Sequence, residues 1–163
     1  QGLFGFGRKN EYLAQGIFAF FIAYILLVLV FRQKFLPQKK ELIVAVPVAL
    51  FTISCCLYLF PYIPQELHDI LPIPAFGLAF VCWSGVCTIL QGIYAKKPAF
   101  MFAAAGCLML ISDAAISAGI FLPWNHNNPW VLNIIWGAFI PAWTLIAMAA
   151  AETKLFFHNK KDD

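Results

Sequence analysis

A chain of 163 residues that is 62% hydrophobic, 17% aromatic and only 12% charged, with a mean hydropathy of +0.79, lacks the polar side chains needed to cover a soluble domain. It reads as an integral membrane protein. Its net charge of +3 is spread over the joints between apolar runs, which excludes the soluble basic surface that a nucleic-acid partner requires.

A bilayer core takes roughly 20 apolar residues per helical span. Five runs meet that length: about Tyr12 to Phe31, Leu42 to Phe60, Leu71 to Tyr94, Pro98 to Phe121 and Trp130 to Ala151. The expected fold is all-α, a polytopic bundle of about five transmembrane helices forming one domain over residues 1–163. No charged segment precedes a short apolar core with a small-residue cleavage site, so the spans themselves are expected to direct insertion. The first residue is Gln1, and an apolar, glycine-rich stretch already begins at Gly2, which suits the later part of a longer fold.

In the first span Gly16, Phe20 and Tyr24 recur every four residues and so share a helical stripe, with the phenol as its polar tip. The first joint is basic, with Arg32, Lys34, Lys39 and Lys40, whereas the second carries Glu66, His68 and Asp69 and no lysine or arginine. Lys96 and Lys97 mark the third joint, the fourth has no basic residue, and the tail adds Lys154, Lys160 and Lys161. Nine basic residues thus fall on one side and two, Arg8 and Lys9, on the other, so the first and third joints and the C-terminus are expected to face the cytoplasm. Trp124, Trp130, Tyr58 and Tyr62 lie toward the opposite ends, at the level favoured by amphipathic rings. Pro47 and Pro141 fall inside spans, whereas Pro72 and Pro74 shape the start of the third.

The fourth span holds the residue that calls for explanation. Ala99, Ala103, Gly106, Leu110, Asp113 and Ser117 recur at spacings of three and four, giving one face of mainly small residues with a carboxylate in it. That face is expected to pack inward. An ionisable side chain near the centre of a membrane helix costs roughly 2.5 to 3.5 kcal/mol, so it normally has a partner and often a role. The partners within reach of such a helix are Tyr24, Ser84, Thr88 and Asn133, and a simple interhelical hydrogen bond is one account of Asp113. Glu152 is expected to be an interfacial residue beside Lys154. The five cysteines, Cys55, Cys56, Cys82, Cys87 and Cys107, lie within spans without a CxxC pair and read as reduced packing residues. His126 reads as a loop residue to which neither His68 nor His158 gives metal-ligand spacing, so no metal or other cofactor is expected. Glycine loops for phosphates, GxSxG and HExxH are all absent from the sequence.

Three segments together resemble the YhhN family of lysoplasmalogenase-like membrane proteins. They are Gly16 and Phe20 in the first span, then Ala105, Gly106, Ser112, Asp113 and Phe121, then Phe139, Pro141, Ala142, Leu145 and Ile146. The resemblance implies a fold of about eight membrane helices, of which this chain supplies the later part. It also implies hydrolysis of the vinyl ether bond of lysoplasmalogens, releasing a fatty aldehyde and a glycerophospholipid. Such cleavage needs a carboxylic acid to deliver a proton to the alkene carbon and a second group to stabilise the oxocarbenium ion or activate water. Asp113 fits the acid, and Tyr24, Ser112, Asn133 and Trp136 are the candidate substrate-binding neighbours. The family's second acid, in a Gly-Asp motif, falls at or just before Gln1 and Gly2. Tyr24 stands where the family has histidine, and Trp143 where it has glutamine, so that a bulky, donor-only ring is expected to fill part of the headgroup cavity.

Two functions therefore stay open at this point. One is a lysoplasmalogenase-like hydrolase acting on a membrane lysophospholipid. The alternative is a catalytically degenerate relative serving as a structural or lipid-binding subunit among membrane-protein partners. A transporter fits less well, since the sequence has no internal repeat and one buried charge marks no polar pathway.

Overall fold

The structure, a computed structural model, describes residues 9–32, 37–69, 71–125 and 128–152. It is a bundle of five helices: α1 (Lys9–Phe31), α2 (Lys39–Leu59), α3 (Pro72–Gln91), α4 (Lys96–Phe121) and α5 (Pro129–Ala150). Four of them are long and apolar enough to cross a membrane, and α1 contributes a further apolar stretch, Ala19–Phe31. The chain is an all-α, multi-pass membrane bundle.

Local chemistry explains where the helices stop. Pro72 opens α3 at a position whose N–H would have no helical partner anyway, and Gly92, at φ 63°, closes it in the left-handed region that a side chain resists. Asn128 caps α5 by accepting a hydrogen bond from the Trp130 amide, with Pro129 at the first helical position. Pro47 and Pro141 lie inside α2 and α5, and both helices continue through them. Both prolines are exposed on outer faces, away from the helix contacts.

Helix α3 is the hub, packing against α1, α2 and α4, while α5 packs on the far side of α4. In lipid the hydrophobic effect does not separate helix from solvent, so close backbone approach and polar contacts must hold the bundle. The α3–α4 seam supplies both. A Cβ on Gly85 would lie 2.8 Å from the Phe102 carbonyl oxygen, and one on Gly106 would lie 3.1 Å from the Cys82 Cα. Thr88 Oγ1 donates to the Ala99 carbonyl across the same seam at 3.0 Å. The small-residue face of α4 does turn inward: Ala99, Ala103, Gly106 and Leu110 are buried and Asp113 and Ser117 half-buried. Conversely Leu26, Ile43, Leu50, Leu57 and Ile140 are exposed, as lipid-facing positions should be.

The two ends of the bundle differ chemically. At the basic end Arg32 and Glu41 form a buried ion pair at 3.2 Å, the Arg32 guanidinium sits 4.3 Å above the Trp83 ring, and Trp83 Nε1 donates to the Glu41 carbonyl at 2.7 Å. These contacts tie the end of α1 and the start of α2 to α3. Tyr94 Oη donates to the Val30 carbonyl nearby. Glu152 pairs with Lys97 of α4, and its sequence neighbour Lys154 lies outside the described residues. At the other end aromatic rings gather as expected, with Tyr62 edge-on to Trp124 at 5.3 Å and Tyr58 6.4 Å from Tyr62.

The five cysteines are free, and Cys82 and Cys107 bring their sulfurs within 3.9 Å across the α3–α4 seam.

Candidate functional site

Asp113 lies on the inward face of α4, and its partner comes from α1. Tyr24 Oη donates a hydrogen bond to Asp113 Oδ2. Tyr24 is buried, with its ring face tilted against Phe20 at a centroid distance of 6.2 Å. The four-residue stripe of α1 therefore does deliver a phenol to the interior, and the carboxyl group receives it. Of the four neighbours the sequence offered, the other three form no hydrogen bond with Asp113 among the described residues. Thr88 bonds the Gly85 and Ala99 carbonyls, Ser84 is buried with no hydrogen-bond partner among the described residues, and Asn133 is exposed on α5.

Asp113 also forms part of the wall of an open cavity of about 150 Å³ lined by α2, α3, α4 and the connection between α2 and α3. Most of the wall is apolar, from Phe51, Leu59, Leu71, Leu78, Leu110 and Phe121 among others. The polar exceptions are Thr52, Cys55, Cys56, His68, Asp113 and Ser117. Thr52 already donates to the Val48 carbonyl at 2.9 Å within its own helix. Ser117, one helical turn beyond Asp113, shares its face and lines the same space.

The structure separates the expected site residues. Asp113 and Tyr24 are brought together. Ser112 is fully buried, but its Oγ donates to the Ile135 carbonyl at 3.2 Å, so it ties α4 to α5 and does not line the cavity. Asn133 and Trp136 are exposed on α5, with Trp136 packed edge-on against Phe139 at 6.0 Å, and neither lines the cavity. The reason is rotational: α5 meets α4 through Ala138, Ala142 and Ala149, which are buried, and that face leaves Asn133 and Trp136 outside. Trp143 likewise does not fill the cavity; its Nε1 is buried without a hydrogen-bond partner among the described residues.

Of the polar wall residues, Asp113 alone is a site candidate from the sequence; Thr52, Cys55, Cys56, His68 and Ser117 are added by the fold. Ser117 was visible as part of the α4 face. His68 lies in an irregular connection with no periodicity to reveal which way it points, and only the fold shows that it reaches the cavity. Glu152 does not join the site, being at the opposite end of α4 beside Lys97, and His126 lies outside the described residues.

The cavity thus carries one hydrogen-bonded carboxyl group in a wall that is otherwise mostly apolar. The family model of the YhhN family matches residues 3–150. No curated protein and no solved structure matches the chain.

Proposed function

The chain belongs to the YhhN family, and from that premise we propose that it hydrolyses the vinyl ether bond of a lysoplasmalogen lipid in the cavity beside Asp113. The observation that carries this reading is the placement of Asp113, at once in the wall of an apolar cavity and fixed on one oxygen by Tyr24. Because Tyr24 donates to Oδ2, the proton that the reaction needs is assigned to Oδ1. In the proposed sequence Asp113 gives that proton to the β-carbon of the vinyl ether, and the alkene electrons form the new C–H bond. The resulting oxocarbenium ion is paired with the carboxylate left on Asp113, which Tyr24 continues to hold. Water then adds to the oxocarbenium carbon and its proton passes to the carboxylate. The hemiacetal then breaks its C–O bond to the glycerol as its hydroxyl proton passes, by way of the Asp113 carboxyl group, to the departing glycerol oxygen, releasing a fatty aldehyde and the glycerophospho headgroup with its free hydroxyl. Proton delivery by a positioned acid is worth about 10²- to 10⁴-fold in rate.

A lipid-binding subunit without turnover is the second reading, and one observation favours it. Asp113 is the sole carboxylate among the described residues of the wall, and Glu41 is committed to Arg32 at the opposite end. The membrane lipid is the partner in both cases.

The test is aldehyde release from a lysoplasmalogen by the purified protein and by an Asp113→Asn variant, which keeps size and removes the acid. Release by the parent that falls at least about hundredfold in the variant supports the hydrolase. Lipid binding with no release by the folded parent protein supports the subunit.

A further inference from the structure

We propose that His68 is the headgroup-side contact of this cavity, a ligand for the phosphate of a glycerophospholipid. This rests on the cavity being a lipid site and adds the residue that distinguishes phosphate-bearing lipids from phosphate-free ones.

The cavity runs from the middle of the bundle toward the aromatic end. Asp113 is eight residues before Phe121, the last residue of α4, so it lies about 12 Å along the helix from that end. The Tyr62–Trp124 ring pair marks the headgroup level there, and the connection between α2 and α3 folds over the cavity at the same end through Phe60, Ile63 and His68. A glycerophospholipid matches this polarity in one orientation. Its ether and its phosphate sit at opposite ends of a three-carbon glycerol, so an ether near Asp113 leaves the phosphate pointing to the aromatic end.

At that end the described wall has a single side chain that can carry positive charge, His68. Lys39, Lys40, Lys96 and Lys97 together with the paired Arg32 are gathered at the other end, whereas Lys9 begins α1 at the aromatic end. His68 is also held in place before any ligand arrives. Its Nε2 lies 2.9 Å from the Ile63 carbonyl oxygen, and its ring stacks on Phe60 with centroids 4.2 Å apart. Assigning the Nε2 proton to that hydrogen bond leaves Nδ1 for a ligand, and a protonated imidazole donates from both nitrogens. A pre-positioned donor loses little entropy on binding, and a hydrogen bond to a charged oxygen is among the stronger ones. Next in the chain, Asp69 is exposed and is not among the wall residues.

A purely structural His68 would pin the connection through Ile63 and Phe60 and be indifferent to phosphate. The experiment separates the two roles with three probes against the purified full chain in lipid nanodiscs. These are a non-hydrolysable 1-O-alkyl lysophospholipid, the matching 1-O-alkylglycerol without phosphate, and soluble glycerophosphate. Binding is compared for the parent, His68→Gln and His68→Ala, with melting temperature measured alongside; glutamine retains a donor for the Ile63 carbonyl. The expected result is that His68→Gln weakens the lysophospholipid about tenfold or more while leaving the alkylglycerol unchanged, and that glycerophosphate binds weakly throughout. Equal losses for both lipids, or no loss for either, would overturn the proposal. Glycerophosphate binding as tight as the lysophospholipid would overturn the lipid as the source of the phosphate. Aldehyde release from a lysoplasmalogen is followed in the same preparations. Its absence, with the phosphate-selective loss retained, removes the hydrolase and leaves the His68 contact standing; failure of the parent to bind either lipid removes both.

Discussion

Tyr24 and Asp113 are 89 residues apart in the chain and meet through one hydrogen bond. Replacing Tyr24 with Phe removes that bond and keeps the ring against Phe20, so the expected effect is on chemistry more than on folding. A single such bond is worth about 1 kcal/mol, which predicts a fall in kcat of up to about tenfold with little change in Tm. A Tyr24→Phe variant with unchanged kcat would detach the phenol from the reaction. Asp113 could be singled out from the sequence because one carboxylate in an apolar run is conspicuous. Its partner could not, since Tyr24, Ser84, Thr88 and Asn133 offer similar chemistry and only tertiary packing chooses among them. Ser112, adjacent to Asp113 in sequence, turns about 100° away around the helix and so reaches α5.

Among the elements, the α3–α4 seam is the one least tolerant of added volume. Gly85→Ala places a methyl against the Phe102 carbonyl, which is backbone and cannot rotate aside. Such overpacking costs typically about 1 to 3 kcal/mol, and the variant is expected to melt at lower temperature. Gly137→Ala on α5, where a Cβ meets nothing within 4 Å, is the control and is expected to match or slightly exceed the parent. Equal melting of Gly85→Ala and the parent would show that the two helices do not approach as closely as described. The ties at the basic end make a second case. Arg32→Met strands Glu41, which is 1% exposed, and breaking a buried pair from one side costs about 3 to 5 kcal/mol, whereas replacing both Arg32 and Glu41 by Met and Leu is expected to recover part of the loss. A double variant no better than the single one would argue against the pair as the source. Helix number and approximate limits were legible because a bilayer imposes a long apolar run on each span. The Arg32–Glu41–Trp83 cluster was not, because a basic joint reads as a solvated one until the fold places α3 beneath it.

For the whole molecule, the distribution of charge fixes an expectation about orientation. With the basic joints on the cytoplasmic side, the cavity approaches the opposite surface. A cysteine introduced at Gln65 is then expected to react with a membrane-impermeant maleimide applied to the non-cytoplasmic side of the sealed membrane, and one at Gln38 only with reagent on the cytoplasmic side; the reverse pattern would invert the topology. Asp113 stands out in the sequence, yet the cavity beside it is a property of the assembled bundle. Its walls come from α2, α3, α4 and an irregular connection, and no single segment reveals them. The proposed reaction hinges on a proton passing from Asp113 to the alkene carbon. The measurement that tests this most directly is turnover of a lysoplasmalogen in D₂O, with the aldehyde reduced to the alcohol as it forms and analysed by mass spectrometry. Protonation at carbon predicts one deuterium on the carbon next to the former carbonyl, formed by the parent protein and lost with Asp113→Asn. Aldehyde without that deuterium, or label formed at an undiminished rate by Asp113→Asn, would contradict the account.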